Sequence, residues 1–287
     1  MQQGCWDKMS GKTLTPEELR KVQLLELKVL KEIKRICTKH DIKYFLTGGT
    51  LIGAVRHKGF IPWDDDIDIA MMRPDYDRFL EIAPKELGPE YTLTCIQHDK
   101  KLGLFLSKVV LKGTNYRSVQ QPETIGECGF WVDVIPYDHI PDNQFLATLY
   151  FRFLNFLLVL YSKKNGYKNG TTPLRKFVAN MMLICFFWVP KEWLWKKIVN
   201  YPYRLNRKET GRQAYLAGRY GAPREFRSAY LFGEYTELPF EDDSFMVLKE
   251  YHAFLTELFG NYMKLPPVEQ RITHQVAELD FGKYASP

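Results

Sequence analysis

Four aspartates occupy the five positions Asp64-Asp65-Asp66-Ile67-Asp68, and the residues that follow, Ile69-Ala70-Met71, are those of a buried strand. Side chains alternate between faces on an extended chain, so Asp64, Asp66 and Asp68 share one face while Asp65, Ile67 and Ile69 point the other way. Three like charges on one strand face repel each other unless a cation neutralises them. Oxygen ligands at this density suit Mg2+, or else Mn2+, rather than zinc. The segment therefore predicts a sheet whose acidic strand face holds a metal, with Asp64, Asp66 and Asp68 as candidate ligands.

Just upstream, Gly48-Gly49-Thr50 reads as a tight turn between a strand at 42–46 and a short helix at 51–57. Glycines let the backbone approach a phosphate with its N–H groups forward, and Thr50 adds a hydroxyl donor. Arg56, His57 and Lys58 supply positive charge close by. A lone Gly-Gly or a lone Asp-x-Asp is weak, but the two in this order within 21 residues form a specific pattern.

The rest of the chain reads as a mixed α+β protein. Its 287 residues, 45% hydrophobic and 26% charged, exclude a disordered, collagenous or repeat architecture. Residues 1–14 read as a loose leader. Thr15-Pro16-Glu17-Glu18 opens a helix, with Thr as cap, Pro in the first turn and acids at the positive dipole end. Leu19, Val22, Leu27, Leu30, Ile33 and Cys37 continue it at helical spacing to about Lys39. Strands are predicted at 67–71, 91–97, 104–111 and 130–135, and a helix opens at Pro74. From Gln144 the chain reads as mostly helical, and a late helix is expected at 245–259. The predicted organisation is a catalytic core at 15–143, a basic aromatic-rich helical segment at 144–232 and a C-terminal segment at 233–287 that completes the core. Five scattered cysteines (Cys5, Cys37, Cys95, Cys128 and Cys185) with no Cys-x-x-Cys pair suggest buried thiols in a reducing compartment.

The net charge of +6 hides a split. Residues 145–231 carry sixteen Lys or Arg against Glu192, Glu209 and Glu225, whereas the other 200 residues hold 24 basic and 31 acidic groups. Basic residues among aromatics can bind single-stranded nucleic acid or seat helices in a lipid headgroup layer. The clusters at 151–160 and 181–188 are too apolar for a nucleic-acid groove, so peripheral membrane contact is the expectation and nucleic acid is not. Buried core helices with solvated lysine tips are the plain alternative. The longest nearly uncharged runs, 153–161 and 177–190, fall short of a spanning helix.

The stretch from Tyr44 to Phe79 resembles the LicD family of phosphocholine transferases, related to the fukutin-type ribitol-phosphate transferases. The matching marks are Gly48-Gly49-Thr50-Leu51-Ile52-Gly53-Ala54-Val55-Arg56-His57 and Ile61-Pro62-Trp63-Asp64-Asp65-Asp66-Ile67-Asp68. Phe130-Trp131-Val132-Asp133-Val134-Ile135-Pro136 and Tyr262-Met263-Lys264-Leu265-Pro266-Pro267, with Arg271 and His274, also fit. The resemblance implies a nucleotidyltransferase-like mixed β-sheet core with flanking helices. It implies Asp66 and Asp68 as the metal pair, Asp133 as the third catalytic carboxylate and Asp64 as a further metal-binding position. Gly48, Gly49, Thr50, Arg56, His57, Arg271 and His274 would bind substrate. Apart from the resemblance, Lys108 on its predicted strand reads either as a substrate-binding group that neutralises developing phosphate charge or as a solvated strand lysine. The cysteine-rich zinc loop of the fukutin relatives is absent.

The expected reaction is Mg2+-dependent transfer of phosphocholine from CDP-choline to a sugar hydroxyl of a cell-surface glycan precursor of teichoic acid, lipopolysaccharide or capsule type, with CMP released. A polyprenyl-linked acceptor would place the enzyme at the inner face of the cell membrane. CDP-ribitol, CDP-glycerol and CDP-ethanolamine are alternative donors. A metal-dependent glycosyltransferase is a reading from another class, against which the upstream Gly-Gly-Thr turn argues.

Overall fold

A computed structural model of the chain describes residues 11–119, 129–167, 173–271 and 273–285. Part of the predicted leader, Cys5 and Cys128 lie outside the described residues. Helix α1 (Pro16–Lys39) starts as its sequence predicts: Thr15 Oγ1 accepts from the N–H of Glu18, whose carboxylate accepts from the N–H of Thr15. Strand β1 (Phe45–Leu46) leads into α2 (Gly48–His57), and β2 (Ile67–Met72) into α3 (Arg73–Glu86). Then come β3 (Tyr91–Cys95), β4 (Ser107–Leu111), β5 (Asn115–Ser118) and the long β6 (Trp131–Ile140). Helices α4 (Gln144–Lys164), α5 (Pro173–Cys185) and α6 (Lys191–Leu205) follow, and the chain closes with β7 (Arg212–Ala214), β8 (Phe226–Ser228), β9 (Tyr235–Phe240), β10 (Asp243–Leu248), α7 (Tyr251–Phe259) and β11 (Val276–Asp280).

Among the described residues the main sheet has seven strands, in the order β1-β2-β6-β4-β3, with β7 and β8 extending from the far end of β6. The β2–β6 pair is parallel and the others are antiparallel. The inner face of α1 (Val22, Leu30, Ile33) and the fully buried Phe45, Phe79, Phe130 and Phe254 belong to one apolar core. A second core beneath α4 and α6 gathers Leu154, Leu157, Leu194, Ile198 and Ala214. Cys37 and Cys95 are buried, as expected of small apolar side chains, and Cys185 is exposed.

Four local readings are corrected. Gly48-Gly49-Thr50 is the first turn of α2 rather than a separate turn: Gly48 takes φ +58°, and the Leu51 N–H bonds the Thr47 carbonyl at 3.1 Å. The predicted strand at 42–46 keeps only Phe45 and Leu46 in pairing. The late helix is β10 to Leu248 and helix only from Tyr251, because Phe245-Met246-Val247-Leu248 is a continuous apolar run in which neither period stands out. The stretch after α6 returns to the sheet as β7 and β8 instead of staying helical.

Candidate active site

The sheet register builds the centre of the site. Asp68 on β2 pairs with Asp133 on β6, and Asp133 pairs on its other side with Lys108 on β4, so the three residues form one row across adjacent strands. Lys108 Nζ lies 2.6 Å from Asp133 Oδ1 and over the Trp131 ring, and both partners are largely sequestered. Lys108 is thus the ion partner of the expected third carboxylate rather than a solvated strand lysine.

Strand β2 begins only at Ile67, so Asp64, Asp65 and Asp66 form its irregular lead-in and Asp68 alone among the four is a strand residue. The glycines at the start of α2 abut these acids. A Cβ on Gly48 would stand 3.0 Å from Asp68 Oδ2, and one on Gly49 2.6 Å from Asp64 Oδ2. A side chain at either position would push that carboxylate aside, and Gly48 also takes the left-handed φ of +58° that favours glycine. Thr50, expected as a phosphate donor, uses its hydroxyl oxygen at 2.9 Å to accept from the Asp68 N–H and is buried. It therefore fastens α2 to β2.

Burial pushes the carboxyl groups of Asp64, Asp66 and Asp68 upward, and neighbouring carboxylates add to it: Asp66 and Asp65 on Asp64, Asp65 and Asp133 on Asp66 against the opposing charge of His274, and Asp66 on Asp68. Asp68 also feels Asp133. An all-oxygen, self-repelling donor set fits a hard divalent cation in charge and chemistry. The side chains do not converge further: among the described residues no three His, Cys, Asp or Glu groups stand close enough together to hold a metal ion.

Asp65, in the same irregular lead-in, has partners of its own. Its carboxylate, 3% exposed, accepts from the Tyr116 hydroxyl and from His274 Nδ1 at 2.8 Å. Burial would raise Asp65, but the bonds and charge of His274 overcome it and the net shift is downward. The bond to Asp65, with the charges of Asp65, Asp66 and Asp64, lifts His274 to about 9, so its imidazole is cationic at neutral pH. Arg56 donates to the Tyr262 carbonyl at 2.8 Å and to His57 Nε2 at 2.9 Å. Burial and then the nearby charge of Arg271 push Arg56 down, whereas Asp64 pulls it up. Arg271 lies over the Trp63 ring and donates to the Pro266 carbonyl at 3.0 Å. The expected cations thus stand beside the acids, and a pair of arginines that repel each other suits an anion between them. Two surface cavities, of about 390 and 410 Å3, lie elsewhere and are lined by none of these residues.

Residues 41–152 match the family model described as LicD/FKTN/FKRP, nucleotidyltransferase domain. The chain is 29% identical over 268 residues to the lipopolysaccharide cholinephosphotransferase LicD of Haemophilus influenzae, covering 91% of this chain and 97% of that protein. Residues 41–152 thus carry a LicD-type nucleotidyltransferase domain. Human ribitol 5-phosphate transferase FKRP is 33% identical over 66 residues, 22% of this chain and 13% of its own length. An uncharacterized Rickettsia typhi protein, RT0683, is 42% identical over 84 residues, 26% of this chain and 27% of that one. The chain is accordingly a phosphotransferase with an α+β, nucleotidyltransferase-like fold.

Sequence reasoning missed two residues of the site. Arg219, in the loop between β7 and β8, lowers the carboxyl groups of Asp68 and Asp66 by its charge. Glu26 on α1 is 0% exposed, and neither carboxyl oxygen has a hydrogen-bond partner. Its neighbour on the same face, Gln23, donates to the Asp64 carbonyl at 2.9 Å. A signal was available: positions 23 and 26 fall on the stripe formed by Leu19, Leu30, Ile33 and Cys37, so two polar residues sit where the helix buries itself. Burial, followed by Asp66, Asp65, Asp133 and Asp64, raises Glu26 well above the usual carboxylate range.

A pH dependence of stability follows. Glu26, Asp64, Asp66 and Asp68 bind protons more tightly folded than unfolded. Their contribution is complete below about pH 4 and is lost as pH rises through the raised folded values. His274 has the same sign, fading between the ordinary 6.5 and about 9. Asp65 is opposite and matters only in acid. Tm in metal-free buffer should therefore fall between about pH 5 and 9, and Glu26→Gln should flatten the slope. Excess Mg2+ should restore stability most at the alkaline end. A melting profile that rises over this range would contradict the assignment.

Proposed function

We propose that this phosphotransferase moves phosphocholine from CDP-choline to a hydroxyl of a polyprenyl-linked cell-surface glycan precursor on the cytoplasmic face of the membrane. The observation that carries the reaction class is the row Asp68–Asp133–Lys108, with Asp68 against the glycine start of α2, and with Arg56 and His274 near the acids at 64–66. The choline assignment leans on the end-to-end similarity to the Haemophilus influenzae cholinephosphotransferase, and lipopolysaccharide is that relative's acceptor class.

Asp66 and Asp68, with Asp64 and Asp133, would hold Mg2+ or Mn2+ once drawn closer together than they stand here. When bound, such an ion neutralises the donor diphosphate and polarises the phosphorus. The chain's own groups do the rest. Arg56, Arg271 and the His274 imidazolium hold the cytidine-side phosphate. Lys108 fixes Asp133 Oδ1, which leaves Oδ2 to take the proton of the acceptor hydroxyl. The hydroxyl oxygen bonds to the choline-bearing phosphorus as the bridging P–O bond breaks, and CMP leaves with the bridging oxygen.

The ribitol 5-phosphate transferases, similar over the 66-residue core segment, favour a second donor in the same chemistry. Purified protein with Mg2+, a glycan acceptor and a panel of CDP-alcohols should release CMP fastest from CDP-choline. Preference for CDP-ribitol would replace the donor and keep the mechanism. Turnover of UDP-sugars with none of the CDP-alcohols would overturn the proposal in favour of glycosyl transfer.

A further inference from the structure

Of the nineteen exposed large apolar side chains among the described residues, fourteen lie within residues 145–203. On α4 they include Phe145, Leu149 and Phe153, which face away from the second core that Leu154, Leu157 and Tyr161 enter. Helix α5 is more extreme. Only Ala179 of its thirteen residues is buried, while Leu174, Phe177 and Ile184 are each more than 60% exposed. The chain after it presents Phe187 and Trp188 at 74% and 67% exposure. A helix apolar around most of its circumference is ordinarily buried, and soluble proteins rarely expose so large a contiguous apolar surface.

The charge of the same stretch identifies what covers it. Residues 145–190, from α4 to the turn before α6, hold six Lys or Arg and no Asp or Glu, on a chain whose residues outside 145–231 are net acidic. A second copy would set one basic face against another, which disfavours self-association. A nucleic-acid groove would offer aromatic platforms rather than leucine, isoleucine and methionine. Apolar side chains with indoles and a surplus of Lys and Arg suit an anionic bilayer surface.

Helix α4 has the length and composition to cross a membrane, with 44% of its apolar window buried within the protein. Polar anchors hold it to the body instead. Asn155 Nδ2 donates to the Leu216 carbonyl at 2.8 Å, Ser162 to that of Gly103 at 2.7 Å, and Tyr161 to that of Lys100. A spanning helix would leave these groups unsatisfied in hydrocarbon. We infer that α4, α5 and the turn to α6 form a monotopic docking surface that lies on anionic lipid without crossing it, whichever donor the active site takes.

Flotation of the full chain tests this. At low salt the protein should rise with vesicles of equal phosphatidylglycerol and phosphatidylcholine, and bind about tenfold less to phosphatidylcholine alone or at high salt. Phe177→Glu with Ile184→Glu, two exposed positions, should keep the circular dichroism of the parent and lose roughly 100-fold in partitioning. Failure of the parent to float, or equal flotation of the double variant, would overturn the inference. So would a lipid-free dimer that the double substitution dissociates, or resistance of bound protein to alkaline extraction, which would mark a spanning segment.

Discussion

Asp68→Asn should abolish CMP release while raising the melting temperature in metal-free buffer. Asp68 stands in the row with Asp133, beside Gly48, and its carboxyl is pushed well up by burial and by Asp66, Asp133 and Asp64. Replacing it with the neutral isostere removes a repulsion that the fold otherwise sustains, and the gain should be a few degrees, at about 2–4 °C per kcal/mol. Turnover should fall by about a thousandfold or more, as is usual when charge stabilisation of the transition state is lost. Added Mg2+ should stabilise the parent and not the variant. Asp66→Asn should behave alike. Differential scanning fluorimetry alongside a CMP assay reads both effects, and near-parental turnover would remove these aspartates from the mechanism.

Arg73→Ala should be the most destabilising single change outside the apolar core. Arg73 Nε and Nη2 donate to the two carboxylate oxygens of Asp138 at 2.7 and 2.8 Å, and the side chains are 4% and 0% exposed. Asn206 donates to the same carboxylate at 2.7 Å, so α3, β6 and the end of α6 meet at one buried charge. Removing the guanidinium strands Asp138, which costs about 3–5 kcal/mol, or on the order of 10 °C in Tm. Arg73→Met combined with Asp138→Leu should recover much of the loss, because an apolar pair leaves no buried charge. Urea unfolding of the two variants measures both; equal stability of Arg73→Ala and parent would show that the pair contributes nothing net.

What could be read in advance followed short-range rules. The Thr15-Pro16-Glu17-Glu18 start gave the boundary of α1 within a residue, since a cap is decided by neighbours three positions away. Nothing local announced that Asp65 would pair with His274, 209 residues further on. That pairing exists because β11 runs beside β5, and neither strand carries a periodic signal long enough to announce itself. The misreading at 245–248 has the same origin, because an unbroken apolar run satisfies both the helical and the strand period.

The amino-acid order by itself determined that acids and glycines would be concentrated between residues 48 and 68, that a capped helix would precede them, and that the basic, aromatic stretch would be a separate charge domain. Only the tertiary structure decided which groups those acids meet. Parallel pairing of β2 with β6 and antiparallel pairing of β6 with β4 set Asp68, Asp133 and Lys108 in one row, and the packing of α1 brought Glu26 to the same acids. Register and packing depend on contacts between distant segments, whose free energy is shared over the whole core and is encoded at no single position.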